Sequence, residues 1–344
     1  MKKALIIGIN YYNQSYQLSG CINDATNVRE YLVGDHAFPQ DADSMVVMTD
    51  DPENENTLLY PTRANMMNAL SWLVQDTSEG DTVWLSYSGH GGQTTDSDGN
   101  RPAADAAIDG LDTICPVDFE SEGQIDSATL HRTLVVPLHP QARLTILFDC
   151  CHSGSACALP YVYRPDEEGN VSVVQTVTDT FQQGATLIMA ANQLVHAPLS
   201  IDTLTNANTL LHGFTGFAKN LATVSHSVFH PEDGDDNDGL VKLETSFATE
   251  EVKDVWMFSG CSDDQTSADT SINGVATGAM SWAFITAMRE SDAASAPLSY
   301  IALLTSTRQL LKDNYSQIPQ LSCDGEYDLD QAIQVRQDKN ERRN

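Results

Sequence analysis

Apolar residues run almost unbroken through Ala4–Ile9, and again through Thr82–Tyr87 and Leu144–Phe148; a shorter run covers Ser44–Met48. Runs of this length read as strands buried on both faces. Between them the apolar positions follow a helical period. Asp24–Leu32 reads as a helix opened by an Asn23/Asp24 cap. Thr62–Gln75 reads as a helix capped by Thr62, with Met66, Met67, Leu70, Leu73 and Val74 as its stripe, and Ser127–Val136 as a third. Strands that alternate with helices predict an α/β fold, a mostly parallel central sheet flanked by helices on both faces. From Tyr163 to Lys253 the pattern loosens: Asp166–Asn170 reads as a polar turn and His230–Gly239 as an acidic loop. Order returns with a strand at Val255–Ser259, helices at Ala279–Met288 and Ser299–Leu311, and a last strand, Ile318–Leu321, expected at the sheet edge. The tail from Arg336 to Asn344 reads as frayed.

Composition narrows the class. The 344 residues are 41% hydrophobic, enough for one large α/β domain or two ordinary ones. No segment approaches a membrane span, and the first strand follows Met1 so closely that no signal peptide is expected. The formal charge of −30 argues against nucleic acid and anionic membrane as partners, and favours basic polypeptides and divalent cations. Seven cysteines, at 21, 115, 150, 151, 157, 261 and 323, show no zinc-ligand spacing. A reduced, intracellular (cytoplasmic) chain is expected.

Two of the strands end in strings that carry chemistry. Thr82–Tyr87 runs into Ser88-Gly89-His90-Gly91-Gly92, and Leu144–Phe148 into Asp149-Cys150-Cys151-His152-Ser153-Gly154. One delivers a histidine and the other a cysteine. A free thiol titrates about 1.5 units above neutral, so a nucleophilic cysteine needs a base beside it. If the two strands are neighbours in a parallel sheet, both loops leave the same edge, where open α/β sheets place their sites.

His90 within YSGHGGQ and Cys151 within DCCHSGS resemble the catalytic motifs of the type I metacaspases, in the caspase-like clan of cysteine peptidases. The resemblance continues through ALIIGINYY from Ala4, SGCIND at Ser19–Asp24, PVDF at Pro116–Phe119 and SGCSDDQTSAD at Ser259–Asp269, and so spans nearly the whole chain. It implies a single caspase-like domain: a large catalytic region 1–162, a variable linker 163–253, a small region 254–335 and a tail 336–344. It implies a cysteine endopeptidase cutting after Arg or Lys, with Cys151, which directly precedes His-Ser-Gly, as nucleophile and His90 as its partner. Cys150 is then a packed neighbour. The backbones of Gly91 and Cys151 are the natural oxyanion donors. The family's acidic pocket for the basic side chain maps onto Cys21, Asp24, Ser88 and Asp149. Two alternatives stand beside this: Asp24 as a helix cap, and Asp149 as a strand-end acid serving backbone N–H groups.

The resemblance also implies a calcium site, and here the chain departs from the pattern. Asp112 matches one ligand. The family's Asp-Asp pair reads Ser127 and Ala128, and a further acid reads Ala158. Asp126 is one place early; Asp109 and Glu120 could add a weaker site. Calcium takes six to eight oxygens, so this set is incomplete. The acidic loop does not replace it: with Gly239 at position six, an EF-hand frame puts Gly234 first and Thr245 twelfth, and fails. Either the chain works without calcium or its switch is disabled, and the second case leaves open a catalytically silent scaffold that acts by protein binding. The expected partners are polypeptide substrates with basic residues, and the chain is expected to be a monomer. Family members are zymogen-like and linked to programmed cell death; self-processing in the linker is expected at Lys242 first and Lys219 second.

Overall fold

The computed structural model describes residues 1–93, 111–150, 156–165, 171–173, 251–261, 269–272, 275–294, 297–312, 315, 317–325 and 327–333. Its centre is an eight-stranded sheet. Strands β1 (Lys2–Gly8), β2 (Met45–Thr49), β3 (Thr82–Ser88), β7 (Arg143–Asp149) and β10 (Asp254–Cys261) run parallel in the order β2-β1-β3-β7-β10. The sheet continues antiparallel through β13 (Ile318–Cys323), β8 (Tyr161–Pro165) and β9 (Val171–Val173). A three-stranded sheet of β4 (Gly91–Gln93), β5 (Asp112–Ile114) and β6 (Ile125–Asp126) sits beyond the end of β3, and β11 (Asp269–Ile272) pairs with β12 (Val275–Gly278). Its helices include α1 (Cys21–Gly34), α2 (Arg63–Val74), α3 (Phe119–Glu122), α4 (Ser127–Leu130), α5 (Ala279–Ala294) and α6 (Tyr300–Leu311).

The central strands are apolar on both faces because both faces are covered. Along β7, Leu144, Ile146 and Phe148 join Leu70, Leu73 and Leu134 in one core. Leu147 faces the other core, where Val28 and Tyr31 of α1 meet Phe284 of α5 and Leu303 and Leu304 of α6. Since side chains alternate along a strand, Asp149 falls on the α1–α5 side of the sheet with Leu147. The ladder pairs Ser88 with Asp149, which puts both on that side.

Three expectations change. The strand at Ile318–Cys323 is not the edge: β8 and β9 extend the sheet past it, and Pro319–Cys323 is buried throughout. The hairpin that covers it lies in the stretch read as loosening, where runs of three to five residues are too short for a periodic signal. The first helix begins at Cys21, capped by Gly20 with no side-chain hydrogen bond, so Asp24 is not its cap. The third expected helix is one α turn, Ser127–Leu130, continued by a π turn over His131–Val135. Asp126 caps it by accepting from Thr129 N at 2.7 Å.

Candidate active site

The five parallel strands point the same way, so β1, β3 and β7 all end at one edge of the sheet. His90 and Cys151 each stand two residues beyond the aligned pair Ser88 and Asp149. Cys151 itself lies outside the described residues, as do Asp109, Lys219 and Lys242.

His90 is held by backbone and ring together. Its N–H donates to the Tyr11 hydroxyl at 2.9 Å, and its carbonyl accepts from the Tyr87 hydroxyl at 2.6 Å. Both tyrosines are fully buried, and Tyr11 Oη also donates to the Cys115 carbonyl at 2.6 Å. Burial pushes both phenols well above their usual range, so they remain neutral donors. Gly89 makes the clamp possible: a Cβ there would sit 2.6 Å from Tyr87 Oη. Tyr11 adopts a left-handed φ of 52°, an uncommon state for a bulky residue. The imidazole packs on Tyr11 with centroids 4.7 Å apart, and its Nε2 lies 2.6 Å from the Tyr16 carbonyl. A carbonyl only accepts, so Nε2 carries the proton and Nδ1 is the ring atom left for proton transfer.

Gly91 opens β4. Cys115 N donates to the His90 carbonyl at 3.1 Å, which makes His90–Cys115 a hydrogen-bonded step of the β4–β5 ladder. Pairs alternate in such a ladder, so at the next pair, Gly91 with Ile114, the Gly91 N–H faces away from β5.

Asp24 and Asp149 come together on the α1–α5 side, and both are fully buried. Asp24 Oδ1 accepts from Thr277 Oγ1 at 2.6 Å and Gly278 N at 2.7 Å, and Ser88 bonds the same carboxylate. Asp149 Oδ2 accepts from Ser281 N at 2.7 Å, in the first turn of α5, and Oδ1 accepts from Gln317 Nε2 at 3.4 Å. The two carboxylates meet at Gly278, where a Cβ would fall 2.2 Å from Asp149 Oδ2 and 2.6 Å from Asp24 Oδ2. Among the described residues neither acid has an ion-pair partner. Burial, and then the Asp149 charge, raises Asp24 to about 7. Burial raises Asp149 as well, against the opposing pull of its hydrogen bonds. Cys21 lies one turn before Asp24, buried, its N–H donating to Asn10 Oδ1 at 3.0 Å. All four expected pocket positions are therefore buried where α1 meets the ends of β3 and β7. Asp149 does serve backbone N–H, as its alternative reading had it, while facing a second carboxylate. Thr277, Gly278, Ser281 and Gln317 were not singled out in the sequence. They lie more than 120 residues along the chain from both motifs.

Cys115, Cys150, Cys157 and Cys323 are buried. Cys150 is fully buried in the core, and burial pushes the Cys157 thiol up to about 12. The described calcium donors are not gathered into one site. Asp112 is buried and accepts from Gln93 Nε2 at 3.3 Å, Asp126 is engaged as a cap, and Glu120 bonds Tyr16. Among the described residues no group of three or more acidic, histidine or cysteine side chains is placed to hold a metal. No described helix is long and apolar enough to cross a membrane.

Comparison with known proteins gives the relatives. A family model for the metacaspase, peptidase C14 domain matches residues 2–160. Metacaspase-1A of Aspergillus oryzae is 41% identical over 323 residues, which cover 94% of this chain and 67% of the relative. Metacaspase-1 of Schizosaccharomyces pombe is 39% identical over 334 residues, 96% of this chain and 69% of the relative. A solved Geobacter sulfurreducens protein aligns over 96% of this chain and 97% of its own at 17% identity, with a TM-score of 0.48.

Proposed function

The chain belongs to the metacaspase family of cysteine peptidases, peptidase C14, and from that premise we propose that it is an endopeptidase that cuts polypeptides after Arg or Lys through Cys151 and His90. The observation that carries the specificity is the meeting of Asp24 and Asp149, two buried carboxylates with no cation beside them among the described residues. A guanidinium or ammonium brought by a substrate supplies the missing charge, and a carboxylate would face like charge. Ser88 and Cys21 complete the walls of that pocket.

In the reaction His90 Nδ1 takes the Cys151 thiol proton as sulfur attacks the scissile carbonyl carbon. The oxyanion is held by the N–H groups of Gly91 and Cys151. The tetrahedral intermediate collapses, the C–N bond breaks, and the leaving amine takes the proton back from Nδ1. Water then attacks the thioester, giving its proton to Nδ1, and the thiolate departs from the new carboxylic acid. The Tyr16 carbonyl steadies the imidazolium by accepting from Nε2. Tyr11 and Tyr87 are positioning residues.

The chain is organised as a catalytic region 1–162, a linker 163–253 and a small region 254–335, and it acts as a monomer inside the cell. The family is often calcium-dependent. Among the described residues no group of acidic, histidine or cysteine side chains is placed to hold the ion. That same observation supports a second reading, a silent scaffold, if calcium is the switch. Hydrolysis of fluorogenic peptides with Arg, Lys or Asp before the scissile bond, across a calcium titration, separates the two. Cleavage after Arg and Lys alone supports the peptidase; no cleavage at any calcium concentration supports the scaffold; cleavage after Asp refutes the pocket.

A further inference from the structure

Around the acid pair one polar atom is left over. Gln317, just before β13, is 3% exposed. Its Nε2 points at Asp149 Oδ1, and its backbone carbonyl accepts from Arg308 Nη1 of α6 at 3.4 Å. The second polar atom of the same amide, Oε1, is buried and has no hydrogen-bond partner among the described residues. Turning the amide over would set Oε1 against the Asp149 carboxylate, which only accepts while ionised, and would leave Nε2 without an acceptor among the described residues. A buried carbonyl without a donor is an unfavourable arrangement that native structures seldom keep.

The group expected at Asp149 is a donor. An Arg side chain carries five N–H groups in a planar fork, while a Lys ammonium is a point charge with three. The acid pair takes up the charge of either. A guanidinium can engage each carboxylate through paired N–H groups and still present a further N–H, fixed in direction by the rigid fork, to a neutral acceptor beside them, whereas an ammonium spends its three N–H groups without that fixed geometry. We propose that Gln317 is a further specificity-determining residue of this site: Oε1 accepts an N–H of the substrate guanidinium while Nε2 holds Asp149, so that Arg is preferred to Lys. The proposal rests on the reading of Asp24 and Asp149 as the basic-residue pocket. Gln317 lies 168 residues from Asp149 in the chain, outside every motif that carries the chemistry.

The test compares matched peptides with Arg or Lys before the scissile bond, in the parent chain and in Gln317→Met, which keeps the length of the side chain and removes the acceptor. Loss of one hydrogen bond to a charged group predicts at least a tenfold drop in kcat/KM for Arg peptides. Lys peptides should lose about threefold or less, so the Arg-to-Lys ratio falls. Gln317→Asn, which withdraws the amide by one methylene, should lower the ratio in the same direction and serves if Gln317→Met does not fold. Equal losses on Arg and Lys would mean that Gln317 only supports Asp149, and would overturn the proposal, as would no loss on either. Benzamidine binding to Cys151→Ala, with and without Gln317→Met, reads the same contact without turnover. At least tenfold weaker binding in the double variant supports the proposal; equal binding in the two, or no binding to Cys151→Ala itself, overturns it. A parent chain that cuts neither peptide yet binds benzamidine through Gln317 fails as a peptidase while the proposed contact stands.

Discussion

Replacing Asp24 by Asn should make the protein more stable and less active, and the stability gain should grow with pH. Asp24 titrates at about 7, first because it is buried and second because Asp149 is beside it. Its ordinary value is 3.8. The folded state therefore binds this proton more tightly than the unfolded chain does. Linkage then fixes the sign: the contribution is fully present below about pH 4 and is lost as pH rises through 7. A rise from 3.8 to about 7 corresponds to roughly 4 kcal/mol across the whole range, of which about 3 kcal/mol falls between roughly pH 5 and pH 8. Asn keeps an oxygen for Thr277 Oγ1 and Gly278 N and carries no charge. For a chain of this length the thermal midpoint of Asp24→Asn should gain on the parent by roughly 4 °C between those two pH values. Differential scanning calorimetry on the parent and variant at about pH 5 and pH 8 measures it. In the same preparations, cleavage after Arg should fall at least a hundredfold, as expected when one member of a buried charge cluster is removed. A stability difference that is equal at both pH values, or that turns against the variant at the higher one, would refute the reading of Asp24 as a strained, buried carboxylate.

Three other outcomes are expected. Cys151→Ala and His90→Ala should abolish peptide hydrolysis to the same floor, because they act as a unit, while Cys150→Ala, in the core, should keep most activity; rates at unchanged melting temperature decide. Gly278→Ala should disrupt the pocket and destabilise the fold by about 1–3 kcal/mol, because its Cβ would strike Asp149 Oδ2; urea unfolding with an Arg-peptide assay checks both. Any self-cleavage should fall after Lys242 before Lys219, with calcium binding no tighter than roughly 10⁻⁴–10⁻³ M; fragment masses and titration calorimetry test these, and fragments that persist in Cys151→Ala would exclude self-processing.

The buried strands were plain in the sequence because Ala4–Ile9, Thr82–Tyr87 and Leu144–Phe148 are apolar on both faces. The parallel character of the sheet followed from the alternation of those strands with helices. The hairpin at Tyr161–Pro165 and Val171–Val173 was not visible, since such short strands give no period of their own. The ring of partners around Asp24 and Asp149 was hidden for a different reason. Thr277, Gly278, Ser281 and Gln317 meet these acids across 132 to 254 residues of chain, and small polar residues at such separations carry no pattern. The helix-cap reading of Asp24 was reasonable from its place near the start of α1. It fails because Gly20 already begins the helix, leaving the carboxylate to turn toward β12. The hold on His90 was half legible: Gly89 and the two tyrosine-bearing strings were conspicuous, but the Tyr16 carbonyl is backbone and has no signature.

In the proposed reaction Cys151 attacks substrates whose basic side chain is seated on Asp24 and Asp149. The most direct measurement is covalent labelling with a peptide chloromethyl ketone ending in Arg, beside its Asp counterpart, followed by mass spectrometry of the modified peptide. One equivalent of the Arg reagent should be found on Cys151, with no labelling by the Asp reagent and loss of labelling in His90→Ala. Labelling of Cys150 or another cysteine, or equal labelling by the Asp reagent, would contradict that reaction.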